Sequence, residues 1–369
     1  MSYKNCLDYL NDYGRLPFSL VPFNEIDSLV LSMCVYGDFD GILPGVEDQE
    51  TLPLHRGIQR LTQKEDWAAT GPIMAARIPD LLLKAARTPR YSRIRMGCYA
   101  SVLDEDRACQ FAAVTYLLPD GTKYLAFRGT DDTLVGWKES FSMAYHFPVP
   151  GQELAAQYIE KVAGKLTGKL RLGGHSKGGN LAVWAAIQAS PLVRARIHLV
   201  DSFDGPGFAR DLTSSKAYRS QLHKIDVYVP QSSIVGTLLH PTGQFLVIHS
   251  HGSGVQGQHD PFTWEVRGTA FRYRAHRSVL GKKSASTLHR WMESLEPWEL
   301  EAFVELIFYL LSANDAHTLT DIAENIPENA RAIAQAYRNL DKPTRRLIRS
   351  CLGRLMVSLG PGHHEENPV

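Results

Sequence analysis

Leu170-Arg171-Leu172-Gly173-Gly174-His175-Ser176-Lys177-Gly178-Gly179-Asn180-Leu181-Ala182-Val183 passes from an alternating apolar segment, through clustered glycines, into a helical pattern. Within it Gly174, Ser176 and Gly178 form GxSxG. At Gly and Ser frequencies of about 7% each, three fixed positions match somewhere in a chain of this length roughly one time in eight. The bare pattern therefore decides little, and its setting decides more. Between a strand and an amphipathic helix, the serine is forced onto a tight turn with its hydroxyl exposed. Glycines on both sides remove the Cβ atoms that would clash there. The helix start adds a favourable dipole for a developing oxyanion, toward which the Lys177 backbone N–H would point. The bland alternative is a glycine-rich turn that needs only flexibility.

Outward from this run, helical and strand patterns alternate: helix from Gln152 to Leu166, strand from Leu170 to Leu172, helix from Gly179 to Ala189, strand from Arg196 to Ser202. Such alternation predicts a parallel sheet with crossover helices. Further strands fit at Lys224 to Val229 and Gln244 to His249, while Thr263 to Arg274 fits either class. Upstream, Gly97 to Val102, Gln110 to Leu118 and Lys123 to Phe127, with a turn at Pro119-Asp120-Gly121, read as a β-meander. Ile26, Leu29, Val30 and Met33 fall at helical spacing over Phe23 to Tyr36, with Asn24 placed to cap. Residues 41 to 72 read as loop, followed by a short helix from Pro72 to Ala86. After Gly281 the strands stop. Two apolar stripes, Leu300 to Leu311 and Leu347 to Leu355, predict an all-helical appendage from Ser284, and Gly360 to Val369 is expected to fray. The division is thus an N-terminal helical and loop segment over 1–90, a core over 91–283 and an appendage over 284–360.

The composition narrows the function classes. The 369 residues are 44% hydrophobic, and 40 Lys plus Arg nearly cancel 39 Asp plus Glu, which argues against a nucleic-acid binder and against disorder. No apolar run of 18 residues and no basic-then-apolar leader occurs, so no integral membrane association is expected. Five scattered cysteines without a CxxC pair read as reduced, mostly buried thiols of a cytoplasmic protein.

A second constellation, Tyr124-Leu125-Ala126-Phe127-Arg128-Gly129-Thr130-Asp131 with the downstream Trp137, ends a strand where a backbone N–H and the Thr130 hydroxyl can serve as oxyanion donors. A strand ending in Phe-Arg-Gly-Thr, a later Trp and Gly-His-Ser-x-Gly-Gly together resemble the class 3 lipases, α/β-hydrolases with a Ser-Asp-His triad. The chain is more closely similar to an uncharacterised bacterial family of lipase-like α/β-hydrolases through Pro22-Phe23-Asn24-Glu25-Ile26-Asp27, Gly136-Trp137-Lys138-Glu139, Asp204-Gly205-Pro206-Gly207-Phe208 and Gln258-His259-Asp260-Pro261-Phe262, over about residues 4 to 355. The resemblance implies an α/β-hydrolase fold with a central, mostly parallel sheet and a hydrolase site. It implies no substrate.

The hydrolase order is Ser, acid, His. After the strand ending near Ile248 stand His249, His251 and His259. His259 follows a glycine-containing loop with reach over Ser176, and its downstream Trp264 resembles the class 3 arrangement, so it is the favoured base, with the other two kept as alternatives. A metal site built from His249, His251, His259 and Asp260 matches no common ligand spacing. The acid departs from class 3 lipases: Val229 to Gly236 holds no carboxylate, and Ser233 occupies the place of the Asp. One strand earlier, Asp204 ends Leu199-Val200-Asp201-Ser202-Phe203-Asp204, either as the triad acid or as a turn residue before Gly205-Pro206, while Asp201 reads as structural.

These residues describe a serine esterase or lipase-like hydrolase. Ser176 would be nucleophile, His259 base and Asp204 the orienting acid, with Thr130 and the Lys177 amide at the oxyanion. It would need no cofactor and no metal, and would act on an ester or thioester small molecule. The rival from another class is a non-catalytic hydrolase-like scaffold whose appendage binds a protein partner, supported by the missing carboxylate near Ser233.

Overall fold

The computed structural model describes residues 3–68 and 77–359. At Pro119-Asp120-Gly121 the turn folds as its chemistry requires. Gly121 takes φ 83°, and Asp120 Oδ1 accepts from Thr122 N and Oγ1 at 2.9 and 2.6 Å. This hairpin lies within an eight-stranded sheet whose strand order equals chain order: β1 (Leu52–Pro53), β2 (Arg95–Asp104), β3 (Cys109–Leu117), β4 (Lys123–Phe127), β5 (Leu170–His175), β6 (Ile197–Phe203), β7 (Ile225–Pro230) and β8 (Phe245–Ile248). The first four pair antiparallel and β4 to β8 pair parallel. With its flanking helices, this mostly parallel sheet is an α/β-hydrolase-like fold carrying C-terminal helices.

Parallel register sets the position of the site. Phe127 lies opposite Gly174, His175 opposite Phe203, Phe203 opposite Tyr228 and Pro230 opposite Ile248. The residues that follow these strands, Arg128, Ser176, Asp204, Gln231 and His249, therefore share one edge of the sheet, the edge where open α/β folds place their ligands.

Alternation along the strands divides the core. Tyr124 and Ala126 pack with the N-terminal helices Cys6–Tyr13, Glu25–Cys34 and Ile78–Arg87. Leu125, Phe127, Leu170 and Leu172 pack with Pro150–Lys165 and Lys177–Gln188 on the opposite face. Lys177 through Ile187 are all buried, so this helix is apolar around most of its circumference. Asn24 caps Glu25–Cys34 by accepting from Ile26 N and Asp27 N. Asp27 in turn forms a fully buried ion pair with Arg90, Arg90 Nη2 to Asp27 Oδ2 at 2.5 Å, which ties the N-terminal helices together.

Several elements differ from the sequence reading. The stretch 41 to 72 contains β1 and a helix, Leu54–Leu61, whose buried Leu54, Ile58 and Leu61 span only two turns among Gly and charged residues, too short a period to stand out. Cys6–Tyr13, capped by Asn5, was not anticipated either. The helix expected from Pro72 to Ala86 is observed as Ile78–Arg87, and its expected beginning lies outside the described residues. Thr263 to Arg274 resolves into a minimal hairpin, Val266–Arg267 against Ala270–Phe271, turning at Gly268 with φ 66°. The appendage comprises Val279–Glu293, Pro297–Leu311, Leu319–Glu324, Ile326–Asn339 and Lys342–Leu359. Its first helix begins before Ser284, and its own core joins Trp291, Phe303, Val304, Phe308, Ile348 and Cys351 to Leu134 of the sheet unit. The expected fraying of Gly360 to Val369 also lies outside the described residues. All five cysteines are unpaired and buried. No helix among the described residues is long and apolar enough to cross a membrane.

Asp201 points away from the site edge into the N-terminal face. There it accepts from Ser28 Oγ at 2.5 Å, with Tyr124, Tyr228, Glu25, Asp226 and Arg171 around it. Burial pushes its carboxyl up to about 8, against an unfolded value near 3.9. Between about pH 4 and 8 the folded chain keeps a proton that the unfolded chain releases, so stability falls as pH rises through that window, by up to about 1.4 kcal/mol per pH unit. Asp201→Asn removes this term. Melting temperatures at pH 5.5 and 7.5 are expected to differ less in the variant than in the wild type, and an unchanged difference would show that Asp201 ionises freely in the fold.

Candidate active site

Ser176 links β5 to the helix Lys177–Gln188 with φ 58° and ψ −132°, a backbone that L-residues rarely adopt and that functional sites retain. Close approach of neighbouring backbone explains the glycines. A Cβ on Gly174 would stand 2.3 Å from Gly178 C, and one on Gly178 would stand 2.1 Å from Phe127 O. Ser176 N donates to Phe203 O at 2.9 Å and Gly179 N to Ser176 O at 2.9 Å, so the turn is anchored on both sides.

Asp204 follows β6 directly, also at positive φ, 52°, where Asp is tolerated because its short polar side chain can bond locally. It is fully buried, and its Oδ2 accepts from His259 Nδ1 at 2.6 Å. Its Oδ1 has no hydrogen-bond partner and faces Gly236, where an added Cβ would lie 2.2 Å away. Ser233, which the resemblance to class 3 lipases sets at the place of their acid, accepts from Gly236 N at 3.2 Å and so shapes the loop under Asp204. A carboxylate only accepts, so an ionised Asp204 facing Nδ1 selects the His259 tautomer with its proton on Nδ1 and the lone pair on Nε2.

The His259 segment is pinned from three directions. Trp264, wholly buried, donates Nε1 to Gln258 O at 2.9 Å. Gln258 itself accepts from Ser232 N at 2.9 Å and donates to Gly252 O. His175, also wholly buried, presents Nε2 to His259 O at 2.9 Å and Nδ1 to Tyr36 Oη at 3.2 Å. A carbonyl only accepts, so His175 holds its proton on Nε2 and accepts the Tyr36 hydroxyl proton on Nδ1. Burial, and then the neighbouring His259, hold the His175 pKa well below the ordinary histidine range, consistent with this neutral tautomer. The sequence reading quoted His175 and Trp264 as motif letters. Their work as braces on the His259 segment emerges only from the contacts.

His249 and His251 do not reach this constellation. His251 Nε2 meets Glu265 Oε2 at 2.9 Å and His249 Nε2 lies 3.8 Å from the same oxygen. These three side chains gather at metal-ligand spacing. Arg272 and Arg267 also bond Glu265, at 2.9 and 3.1 Å, so a cation there would compete with two guanidinium groups for the carboxylate.

The Lys177 N–H, in the first turn of its helix, has no intrahelical carbonyl to bond, as usual for a helix start. Thr130 follows the end of β4 near the elbow: a Cβ on its neighbour Gly129 would lie 3.2 Å from Ser176 Cβ. Its hydroxyl is engaged with Ser140 Oγ at 2.5 Å, which leaves its backbone N–H as the donor best placed to be free. The Lys177 side chain, unremarked in the sequence reading, is buried in an ion pair with Glu139, Nζ to Oε2 at 2.7 Å. The signal for it was the Gly136-Trp137-Lys138-Glu139 motif, whose acidic residue had no assigned role.

Comparison with known proteins adds three findings. No curated protein matches the chain. Among solved structures, the crystal structure of M37 lipase is similar over 57% of this chain and 68% of that one, at 14% identity and a TM-score of 0.31. The family match runs from within the helix Ile78–Arg87 to within Pro297–Leu311, narrower than the span of residues 4 to 355 that carries the sequence resemblance. Residues 85–309, more than half of the chain, fit the family described as Mbeg1-like, and the chain belongs to that family.

Proposed function

We propose that the protein is a serine hydrolase that cleaves a carboxylic ester or thioester through an acyl-enzyme on Ser176. The observation that carries this reading is the buried Asp204–His259 pair, 2.6 Å apart, on the same sheet edge as a serine held at φ 58° between strand and helix. Ser176 Oγ attacks the acyl carbonyl and passes its proton to His259 Nε2, while Asp204 stabilises the imidazolium. The Lys177 and Thr130 N–H groups receive the oxyanion. On collapse, the C–O or C–S bond breaks and His259 Nε2 returns the proton to the leaving alcohol or thiol. Water then repeats the sequence on the acyl-enzyme, releasing the acid and restoring Ser176.

The scaffold reading rested on the missing carboxylate near Ser233, and it weakens because Asp204 meets His259 from the preceding strand. Five unpaired cysteines support a reducing, cytoplasmic location. The test is to treat the protein with a fluorophosphonate and measure intact mass, and to assay short- and long-chain p-nitrophenyl esters and acyl-CoA. One adduct and turnover on at least one ester or thioester are expected. A protein that takes no adduct and turns over none of these substrates is a scaffold.

A further inference from the structure

Lys177 follows the nucleophile, and its ammonium is spent entirely inside the protein. With its side chain 1% exposed, Nζ donates to Gln110 O, Gln110 Oε1 and Glu139 Oε2, each at 2.7 Å, which uses all three of its hydrogens. Glu139 is wholly buried, and its carboxylate also accepts from Gln110 N at 3.1 Å and Gly151 N at 2.6 Å. A buried ion pair is a poor way to gain stability, because desolvation of both charges offsets their attraction, whereas it fixes geometry sharply when every donor and acceptor is matched.

The next residue along the same helix, Leu134–Ser142, reaches the other half of the hole. Ser140 Oγ donates to Gly136 O at 2.9 Å, so its bond with Thr130 Oγ1 takes the Thr130 proton. Consecutive residues, Glu139 and Ser140, thereby hold Lys177 and Thr130. The helix is itself clamped from outside by the appendage. Leu134 N donates to His317 O at 2.8 Å, Leu319 N to Asp132 O at 3.0 Å, and Lys138 pairs with Glu305 at 2.7 Å.

We propose that the Lys177–Glu139 pair is the positioning device of the oxyanion hole: it sets the Lys177 N–H relative to the Thr130 N–H, so that both point at one oxygen. The proposal rests on the serine-hydrolase reading above. Both side chains are buried with their polar atoms engaged inside the protein, so both act as positioning residues.

The experiment compares the wild type with Lys177→Met/Glu139→Gln, which removes both charges together, and with Glu139→Asp, which keeps the charge but retracts it by one methylene. Melting temperature, kcat and KM on p-nitrophenyl butyrate, and the rate of fluorophosphonate labelling are measured on each full-length chain. Both variants are expected to lose about tenfold to a hundredfold in kcat and in labelling rate, the scale of a misplaced reacting geometry. KM should stay within about twofold and the pH of half-maximal kcat/KM should not move, because His259 and Asp204 are untouched. A folded double variant with wild-type kcat overturns the proposal and leaves the pair a packing feature. Should the double variant fail to fold, Glu139→Asp decides alone, and wild-type kcat in it has the same consequence. A wild type that neither labels nor turns over sinks the hydrolase reading and the positioning role with it.

Discussion

Ser176→Ala is expected to abolish fluorophosphonate labelling and to lower kcat by about a thousandfold to a millionfold, leaving only what oxyanion stabilisation and binding supply without a nucleophile. The size of the effect follows from the site's economy of parts. In the proposed mechanism Asp204 and His259 serve to prepare one proton acceptor, Nε2, and the turn at Ser176 holds one hydroxyl in a strained backbone. With that hydroxyl gone, the prepared base has nothing to deprotonate except water. Alanine loses a single oxygen and no backbone anchor, since Ser176 bonds its neighbours through N and O of the main chain, so the melting temperature should hold or rise. Relief of strain would appear as a rise only if the turn itself relaxes. An adduct that persists in Ser176→Ala places the nucleophile elsewhere.

The second large effect belongs to Asp204→Asn. Asparagine shares the tolerance of aspartate for positive φ, so the backbone at φ 52° is retained and the change isolates the charge. Its amide NH2 would donate toward His259 Nδ1, forcing the ring proton onto Nε2, where it blocks removal of the Ser176 proton. The analogous change in a serine protease costs about ten-thousandfold in kcat, and a loss of that order with little change in KM is the expected result here. The variant should keep its fold, since an uncharged side chain in this fully buried position needs no paired cation. A loss of less than about tenfold would mean that Asp204 merely shapes the turn before Gly205-Pro206, and that the imidazole is oriented by the His175 and Trp264 contacts to its own backbone segment alone.

Legibility in the sequence followed the range of the interaction. The elbow could be read from Leu170 to Val183 because each ingredient is local: alternation makes the strand, glycines permit the turn, and apolar spacing makes the helix. The Pro119-Asp120-Gly121 turn, the Asn24 cap and the all-helical character of the tail were legible for the same reason. The short helices Cys6–Tyr13 and Leu54–Leu61 escaped notice because two turns of periodicity do not rise above their surroundings.

Residue type and chain order admitted three histidines, of which loop reach and Trp264 favoured His259, and left Asp204 either as triad acid or as turn residue with Asp201 structural. The parallel register of β5, β6 and β7 separates the aspartates in space: Asp204 leaves the sheet edge beside Ser176, whereas Asp201, three residues earlier on the strand, faces the N-terminal core beneath Ser28. Packing of a loop separates the histidines, since Glu265 draws His251 and His249 to itself while His175 and Trp264 hold the His259 segment over Asp204. The side chains of Lys177 and Glu139, 38 residues apart, carried no role in the sequence, and the fold buries both of them together. Backbone propensities act over a few residues and are written where they act. Side-chain partnerships across the sheet depend on strand order and register, which many segments set jointly and which the elbow run by itself does not contain.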